Sequence, residues 1–176
     1  MNWLLYSLAF LMMCSVVSCS NSHKKITMPV AMSSEDKDAF VEVNRQLIEQ
    51  DNEIIEQYIR DNNLKMQAYD NGSYGMIIKQ GKGIFGTDGT ALELRTTVSL
   101  LSGDICYKDT TIAFIAGKTV AISGLHNVAK LLQKGTSATF IFPPALAYGI
   151  YGDGNQIPQR SILRYDIEVL SITKNE

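Results

Sequence analysis

The run from Ala147 to Leu170 constrains this chain more than any other. Ala147-Tyr148-Gly149-Ile150-Tyr151-Gly152 is a loop punctuated by glycine, and Ile157-Pro158 ends it. Behind it, Leu163 to Leu170 alternates as a strand does. A Tyr stands near the start of this loop, an Ile-Pro closes it, and the alternating strand that follows carries Tyr165.

The chain has 176 residues, enough for one domain with extensions. Hydrophobic residues make up 45%, so a real core is affordable, and a net charge of −2 gives no basic stripe for nucleic acid. His23 and His126 are far apart, and no Cys/His cluster has metal spacing. Neither a metal nor another cofactor is expected.

Trp3 to Ser18 is nearly all apolar but short of the roughly 20 residues of a membrane span. It ends in Val16-Val17-Ser18-Cys19, a small residue directly before Cys, with polar sequence following at once. This reads as a lipoprotein signal over 1–18 with Cys19 as the lipidation site. The run of residues before it carries no Lys or Arg, and an uncleaved anchor, or an ordinary signal with a coincidental Cys19, is the alternative. Cleavage would leave Cys106 as the one thiol, which rules out an internal disulfide. Residues 19–34 are polar and small, a tether to a membrane. No acidic run follows Cys19, so the expected location is the cell envelope, facing the periplasm.

Ser33-Ser34-Glu35-Asp36 has the hydroxyls and acids of a helix start, and no Gly or Pro occurs from Asp36 to Asn62. Phe40, Val43, Leu47, Ile48, Ile54, Ile55, Tyr58 and Ile59 recur at helical spacing, interrupted at Asn44 and Asp51. A helical extension over 35–65 follows. It either packs on the domain or on a second helix, or serves as a dimerisation or docking arm.

From 72 to 176 the pattern is α+β. Tyr74 to Lys79 reads as a strand after the Asn71-Gly72-Ser73 turn, and Leu92 to Leu101 alternates cleanly. Ile105 to Tyr107 and Thr111 to Ile115 read as two short strands, His126 to Leu132 as a short helix, and Ser137 to Phe142 and Ile162 to Ile172 as the last strands. The glycines between Gln80 and Thr90 read as turns, since no Gly-Lys-Ser/Thr follows to make a phosphate loop.

Gly117-Lys118, Val120, Ile122-Ser123-Gly124-Leu125, Gly135, Pro144, Ala147-Tyr148-Gly149, Gly152, Ile157-Pro158, Leu163, Tyr165 and Glu168-Val169-Leu170 fall in an order and spacing that resemble the FKBP-type peptidyl-prolyl cis-trans isomerases. The match is ungapped from about Gly103 to Leu170. The leader and N-terminal helix are similar to those of gliding-motility-associated FKBP-type lipoproteins. The resemblance implies a curved antiparallel sheet wrapped around a short helix. It implies prolyl isomerisation of proline-containing polypeptides, assisting envelope-protein folding.

The resemblance also implies a site. Leu125 stands on the floor, where the family has Trp, and Tyr165 in place of a Phe wall. Ile112, Ala121 and Ile122 line one side, and Tyr148 and Ile157 come from the loop. The Ile122 N–H and the Tyr148 hydroxyl bond carbonyls of the bound segment. Thr96 stands where the family has Tyr, and Cys106-Tyr107 where it has Phe-Asp. The pocket carboxylate is therefore missing unless Asp104 or Asp109 takes its place. Those replacements also leave open a second reading, a weakly active or inactive binding module for prolines or unfolded segments. A homodimer through the N-terminal helix is a further possibility.

Overall fold

A computed structural model describes residues 33–174. The leader, Cys19 and most of the tether lie outside them. Among the described residues, those from Asp38 onward form one compact unit.

Helix α1 spans Ser34–Asp61. Its start is closed reciprocally. The Ser33 hydroxyl accepts the Asp36 N–H at 3.1 Å, and the Asp36 carboxylate accepts the Ser33 N–H at 3.3 Å. Its end is a Schellman turn. Asn63 takes φ +51, Asn63 N–H donates to Arg60 and Leu64 N–H to Ile59.

The rest is a six-stranded antiparallel sheet in the order β1-β2-β5-β6-β3-β4. The strands are β1 (Gln67–Ala68), β2 (Tyr74–Lys79), β3 (Thr90–Leu100), β4 (Ile105–Ile115), β5 (Ser137–Phe142) and β6 (Leu163–Lys174). A short helix, α2 (Ser123–Val128), connects β4 to β5 and runs into a 3-10 turn over Ala129–Leu131. It begins three residues ahead of the expected helix. One face of the sheet buries Leu92, Leu94, Val98, Phe140, Phe142, Leu163 and Tyr165 against Leu125, Val128 and Leu132. Each such large side chain contributes about 1.5–3 kcal/mol of apolar burial.

The other face is set by the period of two. Ile141, between Phe140 and Phe142, points away from the main core and joins Tyr74 and Ile55 of α1, with Tyr58, Ile59, Leu101 and Ile162 around them. The second half of α1 thus packs on the sheet. Phe40, Val41 and Val43 in its first half are exposed.

Two strand expectations need correction. Ile105 to Tyr107 and Thr111 to Ile115 form one strand, because Lys108-Asp109 is a bulge within β4 rather than a turn. The register against β3 slips there, and Asp109 takes φ +50. The two-residue β1, paired to Tyr74 and Gly75, was not anticipated.

Candidate functional site

Between α2, β4, β6 and the loop after β5 lies an apolar cavity of about 510 Å³. Ile112, Ala121, Ile122, Leu125, Tyr148 and Tyr165 line it, together with Val120, Ser123 and Ala147, which belong to the family pattern but were not expected as pocket walls. Ile157, Cys106 and Tyr107 are not among its walls. Ile157 is 3% exposed and belongs to the main core, behind the loop it was expected to present. Cys106 is buried in the same core, and Tyr107 packs against it.

The floor and far wall come from regular elements. Tyr165 is 1% exposed on β6 and meets Phe142 edge-on, ring centroids 5.3 Å apart; Phe142 stacks on Phe140 at 6.0 Å. Helix α2 can lie on the Phe142 ring only because position 124 is Gly, since a Cβ there would stand 2.6 Å from the ring. That contact sets Leu125 into the floor. Ile122 precedes the helix in extended conformation, so its N–H is not used by the helix. Burial, reinforced by the Tyr148 hydroxyl and by Asp153, pushes the Tyr165 phenol well above its ordinary range, so this wall stays neutral.

His126 ties α2 to the segment before it. Its Nδ1 accepts the Gly117 N–H at 3.0 Å and its Nε2 lies 3.1 Å from the Thr119 carbonyl, so the proton resides on Nε2. The ring also meets Phe114 edge-on at 5.2 Å. Its role is to anchor the stretch that leads into Val120 and Ala121.

The near wall is a loop, and polar contacts shape it. Gly152 takes φ +71, and a Cβ there would stand 2.2 Å from the Ile157 carbonyl, so the turn requires Gly. Asp153 is the residue the sequence reading missed. Its carboxylate accepts the Tyr107 hydroxyl and the N–H groups of Asn155 at 2.9 Å and Ile157 at 2.8 Å. Burial opposes its charge, but these donors outweigh burial and hold the carboxyl below its usual range.

None of the residues lining the cavity is an acid, but a carboxylate does stand within the loop behind it. Strand β4 supplies a hydroxyl, Tyr107, and the loop supplies the acid. Asp104 instead accepts the Ser102 hydroxyl in the β3–β4 hairpin, and Asp109 lines a different cavity with Thr97 and Ser137. The cue was Asp153-Gly154-Asn155-Gln156, a polar stretch between Ile150-Tyr151 and Ile157. Thr96 is 1% exposed and donates to the Thr110 carbonyl at 3.2 Å, so it is spent within the sheet. Burial, then Asp153 and Asp104, push the Cys106 thiol up, which keeps it unreactive.

The arrangement offers no nucleophile and base pair at the cavity. Among the described residues no group of three or more His, Cys, Asp or Glu could hold a metal. It offers an apolar volume with a hydroxyl and a free N–H at its rim.

Residues 85–170 match the sequence profile of the FKBP-type peptidyl-prolyl cis-trans isomerases. The chain is 34% identical over 64 residues to FK506-binding protein 2 of Candida glabrata, which covers 36% of this chain and 47% of that protein. It is 32% identical over 88 residues to FK506-binding protein 2 of Dictyostelium discoideum, covering 48% and 66%. The chain thus spans about half to two thirds of the length of these curated relatives. FkpA from Escherichia coli, a solved structure, superposes with a TM-score of 0.59 at 21% identity, covering 81% of this chain and 74% of that one, and so shares the fold. Residues 85–170 thus carry the sequence pattern of an FKBP-type peptidyl-prolyl cis-trans isomerase domain.

Proposed function

We propose that the protein is a peptidyl-prolyl cis-trans isomerase acting on proline-containing polypeptides in the cell envelope, anchored by lipid on Cys19. The observation that carries the activity is the apolar cavity closed by Leu125, Ile112 and neutral Tyr165, with Tyr148 and the Ile122 N–H at its rim.

Rotation about a peptide bond faces a barrier of roughly 18–20 kcal/mol from amide resonance. No bond breaks, so no nucleophile is needed. The planar amide is more charge-separated than the twisted one, so an apolar cavity disfavours the ground state more than the transition state. The Tyr148 hydroxyl and Ile122 N–H hold flanking carbonyls in a turn. A ~10³-fold acceleration needs only ~4 kcal/mol. The apolar leader and the Ser18-Cys19 junction support the anchored location. Exposed Phe40 and Val43 on α1 support pairing of two copies through that helix.

A second reading is an FKBP-like binding module with little turnover. It is favoured by Leu125 on the floor and by the Tyr107–Asp153 exchange. Prolyl isomerisation of X–Pro peptides with apolar X separates the two. Turnover that Leu125→Trp leaves at wild-type level or raises supports the enzyme. Peptide binding without turnover, unchanged by Leu125→Trp, supports the module.

A further inference from the structure

We infer that α1 is a strut for the pocket loop and that Arg160 is the positioning residue joining the two. The apolar stripe of α1 breaks at Asp51, yet Asp51 is only 8% exposed. A carboxylate is kept in a packed helix face when something charged meets it there. Its partner is Arg160, twelve residues after Tyr148, whose guanidinium donates to Asp51 Oδ1 at 2.8 Å and to the Leu47 carbonyl at 3.2 Å. The same residue's main-chain N–H donates to the Gly149 carbonyl at 3.1 Å. One residue thus binds α1 through its side chain and the neighbour of Tyr148 through its backbone.

The backbone of Arg160 is consistent with this duty. It takes φ +53, a conformation unfavourable for Arg that persists only where its surroundings over-determine it. With the guanidinium fixed on two groups of α1, the loop end cannot swing without breaking both bonds. The strut therefore fixes where Gly149, and with it the Tyr148 hydroxyl, stands at the cavity rim. It rests on the reading of Tyr148 as a site residue.

The test uses the full chain with Asp51→Asn, which leaves every loop residue in place. Arg160→Gly, which suits the positive φ but has no side chain, and the double variant complete the cycle. Arg95→Gln, at the exposed Arg95–Glu168 pair on the sheet, is the control. Amide hydrogen exchange is followed at Gly149 to Gly152, beside KM and kcat for an X–Pro peptide. The strut predicts exchange faster by about tenfold in each single variant, a KM raised by roughly three- to tenfold, and a double variant no worse than Arg160→Gly alone. Arg95→Gln changes neither. Unchanged exchange in Asp51→Asn, or single effects that simply add, overturns the strut. Wild-type protein without turnover overturns the proposed activity instead, and the exchange data then still decide on the strut.

Discussion

The two sides of the cavity are held by different physics. The far side, Tyr165, Leu125 and Ile112, is built on β6, α2 and β4, and hydrophobic packing fixes it. The near side, Tyr148 and its loop, is fixed by a few polar bonds from Asp153 and Arg160. Packed walls cannot be altered without cost to the fold, because interiors are as dense as organic crystals. A loop held by separate hydrogen bonds can be retuned one contact at a time. Changes on the far side are therefore expected to read out as stability, and those on the near side as activity.

The largest expected effect lies on the far side. Tyr165→Ala removes a fully buried ring and leaves Phe142 without its edge-on partner, and is expected to cost about 3–5 kcal/mol in urea unfolding. Gly124→Ala drives a Cβ into the Phe142 ring and should cost about 1–3 kcal/mol in the same experiment. A variant at either position with wild-type stability would break the comparison.

The loop changes are smaller in stability. Asp153→Asn keeps an amide oxygen but loses the charge on the acceptor shared by Tyr107 and two N–H groups, an expected cost of about 0.5–1.5 kcal/mol. It also carries a pH signature. The folded-state pKa of Asp153 is depressed, so its contribution is fully present above about pH 4 and is lost as pH falls below that. Asp153→Asn should flatten the acid limb of a stability profile. The phenols of Tyr165 and Tyr107 shift upward, so their contribution is present below about pH 10 and lost above it. The alkaline limb should persist in Asp153→Asn through Tyr165.

The smallest stability effect is expected at Tyr148. Tyr148→Phe removes one hydroxyl from a half-buried rim, and its stability should stay within about 0.5 kcal/mol of wild type. A rim hydroxyl that bonds the twisted segment is worth roughly tenfold in rate.

The sequence revealed far more of the packed side than of the tied side. Helical and alternating periodicities report burial directly, and they located α1, β2 and β5 and the inward face of β3. The cavity's sheet and helix residues were found through their place in the family pattern. The bulge at Lys108-Asp109 was hidden because a polar pair between apolar runs looks the same in a turn and in a bulge. Asp153 and Arg160 were hidden because their partners, Tyr107 and Asp51, lie far away in the chain. Nothing local in either residue names its partner. The interruption of the α1 stripe at Asp51 was visible, but only the folded loop gives it a reason.

The most direct test of the central claim, that the protein turns over X–Pro bonds in this cavity, is kcat/KM on an apolar-X proline peptide for wild type beside Tyr148→Phe. The account predicts measurable wild-type isomerisation and about a tenfold loss in Tyr148→Phe at unchanged melting temperature. Equal rates in the two proteins, or no isomerisation by the wild type, would contradict it.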